Sequence, residues 1–135
     1  MLGPAFTASS AEFFFAVKPE PKLRPRLGRG RVFTPAKTRR YEDEIRQLAR
    51  LNYRGPVLER PLALSVWFYL QQPKKCRWGY PAVRPDLDNY IKAIKDALNG
   101  IVWKDDGLIV QLNAGKLYAE PNTEVGIEVS VEEVG

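Results

Sequence analysis

The segment at 61–70 constrains the fold of this chain more than any other. Its residues alternate between two sets, and both sets are mostly apolar, as expected for a strand that lies inside a sheet rather than at its edge. One set is Leu62, Leu64, Val66, Phe68 and Leu70, and the other is Ala63, Ser65, Trp67 and Tyr69. The sequence therefore predicts a sheet with this segment as its central strand.

The flanking patterns predict two helices and three more strands. The predicted helices cover 34–54 and 88–99, and the predicted strands cover 12–17, 108–118 and 123–131. The helices show apolar residues at three- and four-residue steps, and the turn at 120–122 predicts a hairpin between the last two strands. We expect one domain over 1–135 with an α+β fold, in which two helices cover a small mixed sheet of about four strands.

Two features of the composition limit the chemistry. The chain has no histidine and a single cysteine, Cys76, which excludes an internal disulfide, Cys/His zinc sites, Ser-His-Asp triads and Cys-His dyads. Any catalysis must therefore use carboxylates, lysines or hydroxyls. The sequence contains no run of about 18 apolar residues, so it predicts no transmembrane helix. The N-terminus also lacks the basic region of a secretion signal. We expect a cytoplasmic protein with no membrane partner.

Positive charge is concentrated near the start of the chain. Residues 1–40 carry nine Lys or Arg against two acids, whereas 105–135 carry one against seven. A basic region of this kind suits nucleic acid, although a solvated linker has a similar composition. Three prolines and two glycines exclude regular structure from residues 18–31 of the basic loop, 18–33. Its predicted DNA-binding residues are Lys18, Lys22, Arg24, Arg26, Arg29 and Arg31.

A second polar loop, 71–84, is predicted to extend this DNA-binding surface. Its predicted DNA-binding residues are Lys74, Lys75, Arg77 and Arg84. Trp78 and Tyr80 in the same loop have two possible roles, stacking on bases or packing against the protein. The interpretation favoured here is packing.

A group of carboxylates follows the second loop. Asp86 and Asp88 are two residues apart in a stretch that a preceding proline biases towards extended backbone, so their side chains project the same way. Lys92 is one helical turn after Asp88, and Asp105 and Asp106 come just before a strand. Carboxylates without imidazole suit Mg²⁺, with Mn²⁺ as a substitute. Such an ion activates water for phosphodiester cleavage, and Lys92 would stabilise charge on the phosphorane oxygens.

A purely structural interpretation of the same residues is also open. Asp88 could cap the second helix, Lys92 could pair with Asp88 or Asp96, and residues 105–107 could form a turn. Spacing alone does not decide between this interpretation and a metal site. Considered with the basic loop, the carboxylates favour metal-dependent phosphodiester cleavage.

These residues resemble the central signature of the RusA-type Holliday junction resolvases. The chain reads Arg84-Pro-Asp-Leu-Asp-Asn-x-x-Lys92, then Asp96-Ala-Leu98, then Val102-Trp-Lys-Asp-Asp106. Arg24-Pro-Arg26 and Phe33-Thr-Pro35 resemble the N-terminal pattern of many members, so the resemblance covers nearly the whole chain. Leu108 departs from the pattern, because members often carry glutamine at that position.

The resemblance implies a Mg²⁺-dependent endonuclease that resolves four-way DNA junctions as a homodimer, by paired nicks in strands of like polarity, in recombination and repair. It implies that Asp86, Asp88 and Asp106 are the catalytic carboxylates and metal ligands, and that Lys92 is the essential cation. A junction with two-fold symmetry suits a two-fold dimer. Two alternatives stay open: a non-catalytic protein that binds DNA or RNA, and a less selective metal-dependent nuclease acting on flaps or single strands.

Overall fold

The structure, a computed structural model, describes residues 10–134, although not the side chain of Arg26. In chain order the elements are β1 (Ser10–Phe15), β2 (Arg26–Gly28), β3 (Arg31–Phe33), α1 (Ala36–Asn52), β4 (Leu62–Leu70), α2 (Leu87–Leu98), a 3₁₀ turn (Asp106–Leu108), β5 (Ile109–Tyr118) and β6 (Gly126–Glu133). No helix within the described residues is long and apolar enough to cross a membrane.

The main sheet has the strand order β1-β6-β4-β5, in which β4 is antiparallel to β6 and parallel to β5. The predicted α+β fold with a mixed four-stranded sheet and two helices is confirmed, and β4 has the interior position that its sequence predicts. The predicted hairpin between the last two strands is wrong, because β4 lies between β5 and β6. β5 follows α2 as the second strand of a β-α-β unit, which pairs parallel strands. β6 enters between β1 and β4, with Ile127, Val129 and Val131 buried.

Both helices contribute to one apolar core on a single face of this sheet. Fully buried core side chains include Phe15, Ile45, Leu64, Phe68, Ile94 and Ile127. Trp103, just after α2, is also fully buried, and its indole Nε1 donates a hydrogen bond to Asn99 Oδ1 at 2.7 Å. A buried indole N–H needs such a partner. The backbone of Trp103 also pairs with Leu58, which holds the C-terminal end of α2 near the start of β4.

The opposite face of the sheet is more open. There Trp67 and Tyr69 of β4 are half-buried, while Glu12 and Phe14 of β1 are exposed. A Cβ atom at Gly115 of β5 would overlap the Trp67 ring, so glycine is needed where the indole lies across the neighbouring strand.

The basic loop contains regular structure that the sequence analysis excluded. β2 and β3 form an antiparallel ribbon with Leu27 opposite Val32. The two residues between them, Arg29 and Gly30, have φ values of 51° and 73°. Positive φ at both positions is the geometry of a two-residue hairpin turn, and glycine adopts it without strain. The prediction of an irregular loop was wrong because the prolines all precede this short hairpin.

Candidate active site

The predicted pair of carboxylates lies at the start of α2. Asp86 is the N-cap residue, with φ −68° and ψ 147°, and its side chain makes no cap hydrogen bond. Asp88 lies inside the first helical turn, and both side chains are exposed. The alternative in which Asp88 caps the helix is therefore wrong. The start of α2 leaves the Asp86 carboxylate facing solvent.

Lys92 lies one turn after Asp88 and is exposed. Residues four apart are neighbours on a helix surface, so the ammonium group and the carboxylate lie along one stripe of α2. Asp96, the alternative partner in the structural interpretation, is instead 3.1 Å from the Nζ atom of Lys22. Lys92 thus lies one turn from the start of α2, and the ion pair that the structure shows for Asp96 is with Lys22.

Lys116 of β5 holds the chain that leads into this pair, and sequence analysis missed it. Its Nζ atom donates hydrogen bonds to the carbonyl oxygens of Val83 at 2.7 Å and Pro85 at 3.0 Å. These bonds connect the segment before Asp86 to the later half of β5. The one available signal was that Lys116 is the single basic residue in the acidic region 105–135.

The second pair of aspartates flanks the 3₁₀ turn before β5. Asp105 is the N-cap residue of this turn, and its Oδ2 atom accepts a hydrogen bond from the Gly107 N–H at 2.9 Å. The structural interpretation of this segment is therefore correct for Asp105. Asp106 lies within the turn with a half-buried side chain. Asp106 is the better candidate for a metal ligand, because the Asp105 carboxylate already serves the turn.

One chain does not bring Asp106 to the first pair. Asp86 lies beside Lys116, whereas Asp106 begins the 3₁₀ turn that leads into Ile109. Ile109 is seven residues before Lys116 on β5, which is about 23 Å along the strand. The twelve residues of α2 span about 18 Å between the same two ends. Within residues 10–134, no three carboxylate or cysteine side chains are grouped so that they could hold a metal ion. The three aspartates therefore form no common site within a single chain.

Among the basic-loop residues whose side chains the structure describes, Lys22 is the one predicted DNA-binding residue that lies in an ion-pair network. Its Nζ atom lies 2.7 Å from Glu42 Oε2 and 3.1 Å from Asp96 Oδ2, and its side chain is 15% exposed. Its backbone N–H donates to the Asn89 carbonyl at 3.0 Å, which fixes the root of the loop beside the first turn of α2. The Lys22 ammonium group is thus occupied by carboxylates of the protein and is not a candidate phosphate contact. The exposed cations of this loop are Lys18, Arg24, Arg29 and Arg31, and the Arg26 side chain lies outside the described part of the structure.

The environment of Lys22 also changes its proton affinity. Partial burial lowers the pKa of the ammonium group, but hydrogen bonds and charge attraction from Glu42 and Asp96 outweigh it, and the net pKa lies above the ordinary value of 10.5. Glu42 is buried and is also 3.6 Å from Arg46. The network therefore keeps a buried carboxylate paired between the two helices and the loop.

The second loop lies open to solvent. Its four predicted DNA-binding residues are all exposed, namely Lys74, Lys75, Arg77 and Arg84. The favoured packing of Trp78 and Tyr80 is wrong, because their side chains are 55% and 66% exposed. The guanidinium carbon of Arg77 lies 5.0 Å from the centre of the Trp78 ring, which is a cation–π contact on the surface. Both rings line an open surface cavity with Leu70 and Tyr118 and do not join the buried core.

Comparison with known proteins agrees with the motif. The family model for endodeoxyribonuclease RusA matches residues 16–130. The uncharacterized protein YqaN of Bacillus subtilis (strain 168) is 31% identical over 121 residues, which is 81% of this chain and 83% of YqaN. The crossover junction endodeoxyribonuclease rusA of Lactococcus phage r1t is 41% identical over 76 residues, covering 55% of this chain and 56% of the phage protein. The family match spans both pairs of aspartates, Lys92 and the whole basic loop, and on this ground the chain belongs to the RusA endodeoxyribonuclease family.

Proposed function

We propose that this protein is a Mg²⁺-dependent endonuclease that resolves four-way DNA junctions by paired symmetric nicks, acting as a homodimer. The observation that carries the proposal is that exposed carboxylates and the basic loop lie side by side at the start of α2. There the exposed Asp86 and Asp88 lie beside the root of the basic loop, which Lys22 fixes to Asn89. The name of the family supports an endodeoxyribonuclease, and the name of the phage relative supports a crossover junction as the substrate.

The basic surfaces would bind the DNA and orient it. The basic loop carries exposed cations on both sides of Lys22 in the sequence, and Arg84 lies two residues before Asp86. Arginine and lysine that neutralise phosphates supply most of the affinity for DNA without reading its sequence. A phosphodiester held by these groups would lie near the Asp86 and Asp88 carboxylates.

The carboxylates fit a hard divalent cation by their chemistry. Asp86 and Asp88 supply exposed oxygen donors, the ligand type that Mg²⁺ prefers. Bound there, such an ion would activate water and polarise the scissile phosphate. Lys92, one turn from Asp88, would stabilise the charge that develops on the phosphate oxygens.

A third carboxylate has to come from a second copy of the chain, because Asp106 is at the far end of α2. β5 is an edge strand of the main sheet, with Val110 and Leu112 61% and 50% exposed. Long exposed edges of this kind pair readily with another strand. Antiparallel pairing of two β5 edges about a two-fold axis would place Asp106 of each chain near the start of α2 in the other. The proposed dimer thus supplies two complete sites.

The test is cleavage of a labelled four-way junction, a matching duplex and a flap substrate in Mg²⁺ or in EDTA. We expect paired nicks at symmetric positions in the junction in Mg²⁺, none in EDTA, and little cutting of the duplex. Binding of the junction without cutting in any metal would favour the non-catalytic alternative. Equal cutting of flaps, single strands and junctions would favour the less selective nuclease.

A further inference from the structure

The tip of the basic loop carries an exposed apolar pair, Leu27 and Val32. They face each other across the β2–β3 ribbon, and their side chains are 77% and 67% exposed. Directly paired residues of antiparallel strands lie on the same side of the ribbon, so the two form one continuous apolar surface. Phe33, at the end of β3, is 46% exposed and contacts Gly28.

Positive charge surrounds this apolar pair. Arg29 lies in the turn, Arg31 follows it, and Arg24 precedes the ribbon, and all three are exposed. The charge favours an anionic partner, while the apolar pair requires that part of this partner be apolar. Nucleic acid with separated bases has both properties, because each base is an apolar plane attached to a phosphate.

The root of the ribbon is fixed while its tip projects. Lys22 pairs with Glu42 and Asp96, and the Leu23 N–H donates to the buried Thr38 Oγ1 at 3.3 Å. Arg26 begins the ribbon four residues after Lys22, a distance of at most about 14 Å along extended chain. The apolar pair is therefore held within reach of DNA bound at the start of α2.

We propose that Leu27 and Val32 contact unstacked bases at the branch point of the junction and hold the arms apart. This inference rests on the proposed function, since it requires a branched DNA substrate. At a branch point the continuous stacking of the duplex is interrupted, so inserting an apolar side chain there costs less than in an intact helix. The apolar pair would then favour junctions over duplexes, while the arginines bind both.

The experiment uses the double variant Leu27→Thr with Val32→Thr in the full chain. Threonine retains the β-branched shape that suits a strand, so the ribbon should be kept while its surface becomes polar. The matched control is Leu51→Thr with Val57→Thr, which makes the same substitutions at exposed positions elsewhere. The readout is emission of 2-aminopurine placed beside the branch point, titrated with protein in EDTA, followed by single-turnover cleavage in Mg²⁺.

We expect the parent and the control to raise the emission several-fold as the base unstacks. The double variant should lose most of this rise at saturating protein and cleave the junction about tenfold more slowly, while its affinity for plain duplex stays unchanged. An unchanged rise in the double variant would overturn the inference. The parent and both variants are also tested for binding to vesicles of phosphatidylglycerol and phosphatidylcholine. Normal unstacking by the double variant, together with a loss of vesicle binding that the control does not show, would overturn the inference and assign the apolar pair to a membrane surface.

Failure of the proposed function gives a different result. If the parent does not nick the junction in Mg²⁺, the proposed function fails, and this inference fails with it. If the parent nicks the junction but never raises the 2-aminopurine emission, the inference alone is overturned.

Discussion

At the scale of single residues, the structure separates cations that hold the fold from cations that face solvent. Lys22 and Arg29 belong to the same basic stretch, yet the first is half-buried between two carboxylates and the second is exposed at a turn. Sequence alone could not distinguish them, because Glu42 and Asp96 lie 20 and 74 residues away from Lys22 in the chain. Only the packing of α1 against α2 brings these three groups together.

Removing the Lys22 ammonium should destabilise the protein. Lys22→Met leaves the buried Glu42 with Arg46 alone, and we expect a loss of about 2 kcal/mol in the free energy of unfolding, measured in urea. The control is Lys104→Met, whose pair with Glu59 is exposed on both sides, and it should change the free energy by less than about 0.5 kcal/mol. Equal effects of the two variants would contradict the structural role of Lys22.

The pH dependence of this effect follows from the raised pKa of Lys22. Because its folded pKa lies above the ordinary value of 10.5, the network stabilises the folded state fully below that value and loses its effect as pH rises through the folded pKa. The difference in unfolding free energy between the parent and Lys22→Met should therefore be constant near neutral pH and shrink only above pH 10.5. A difference that shrank between pH 6 and 9 would assign it to another group.

Lys92 should affect turnover more than binding. Lys92→Ala removes an exposed charge from α2 with no loss of core contact, and alanine favours helix, so the fold should be kept. We expect the single-turnover rate of junction cleavage to fall by about 10² or more at saturating enzyme. A weaker affinity with an unchanged saturating rate would instead assign Lys92 to ground-state DNA binding.

At the scale of elements, patterns within one segment were predictable and pairings between segments were not. The alternation at 61–70 predicted the interior strand β4, and the spacing over 88–99 predicted α2 to within a residue or two. The neighbours of β6 could not be predicted, because a short turn favours a hairpin locally while burial of Ile127, Val129 and Val131 favours the centre of the sheet. The candidate site shows the same difference. The motif predicted which aspartates belong to the site, but not that the fold places Asp106 far from Asp86 and Asp88.

The basic loop should act as a phosphate-binding element. Arg24→Ala with Arg26→Ala should weaken junction binding and flatten the slope of log affinity against log salt by about 0.9 for each lost phosphate contact. The control is Arg50→Ala with Arg54→Ala, two exposed arginines near the C-terminal end of α1. Gel-shift titrations at several salt concentrations give both slopes, and an unchanged slope in the loop variant would show that these arginines do not contact DNA.

At the scale of the whole molecule, the distance between the two groups of aspartates is the central fact. A chain that carries Asp86 and Asp88 at one end of α2 and Asp106 at the other cannot bring all three to one metal ion while it keeps this fold. The proposed homodimer would bring the three aspartates of the motif together without a change of fold. Its two-fold axis would place the start of β5 in one chain beside the end of β5 in the other. The same two-fold axis of the proposed dimer would then complete each site and match the symmetry of the four-way junction.

Subunit mixing tests this account most directly. Asp86→Asn and Asp106→Asn should each abolish junction cleavage while retaining binding, and heterodimers of the two, purified through different tags on each chain, should regain one intact site. We predict single nicks at about half the parent rate in Mg²⁺, without paired nicks. Heterodimers of Asp86→Asn with Lys92→Ala are the matched control and should cleave no faster than the Lys92→Ala homodimer, because both changes lie in the same half of the site and each site keeps one of them. Inactive heterodimers of Asp86→Asn with Asp106→Asn would contradict a site shared between two chains.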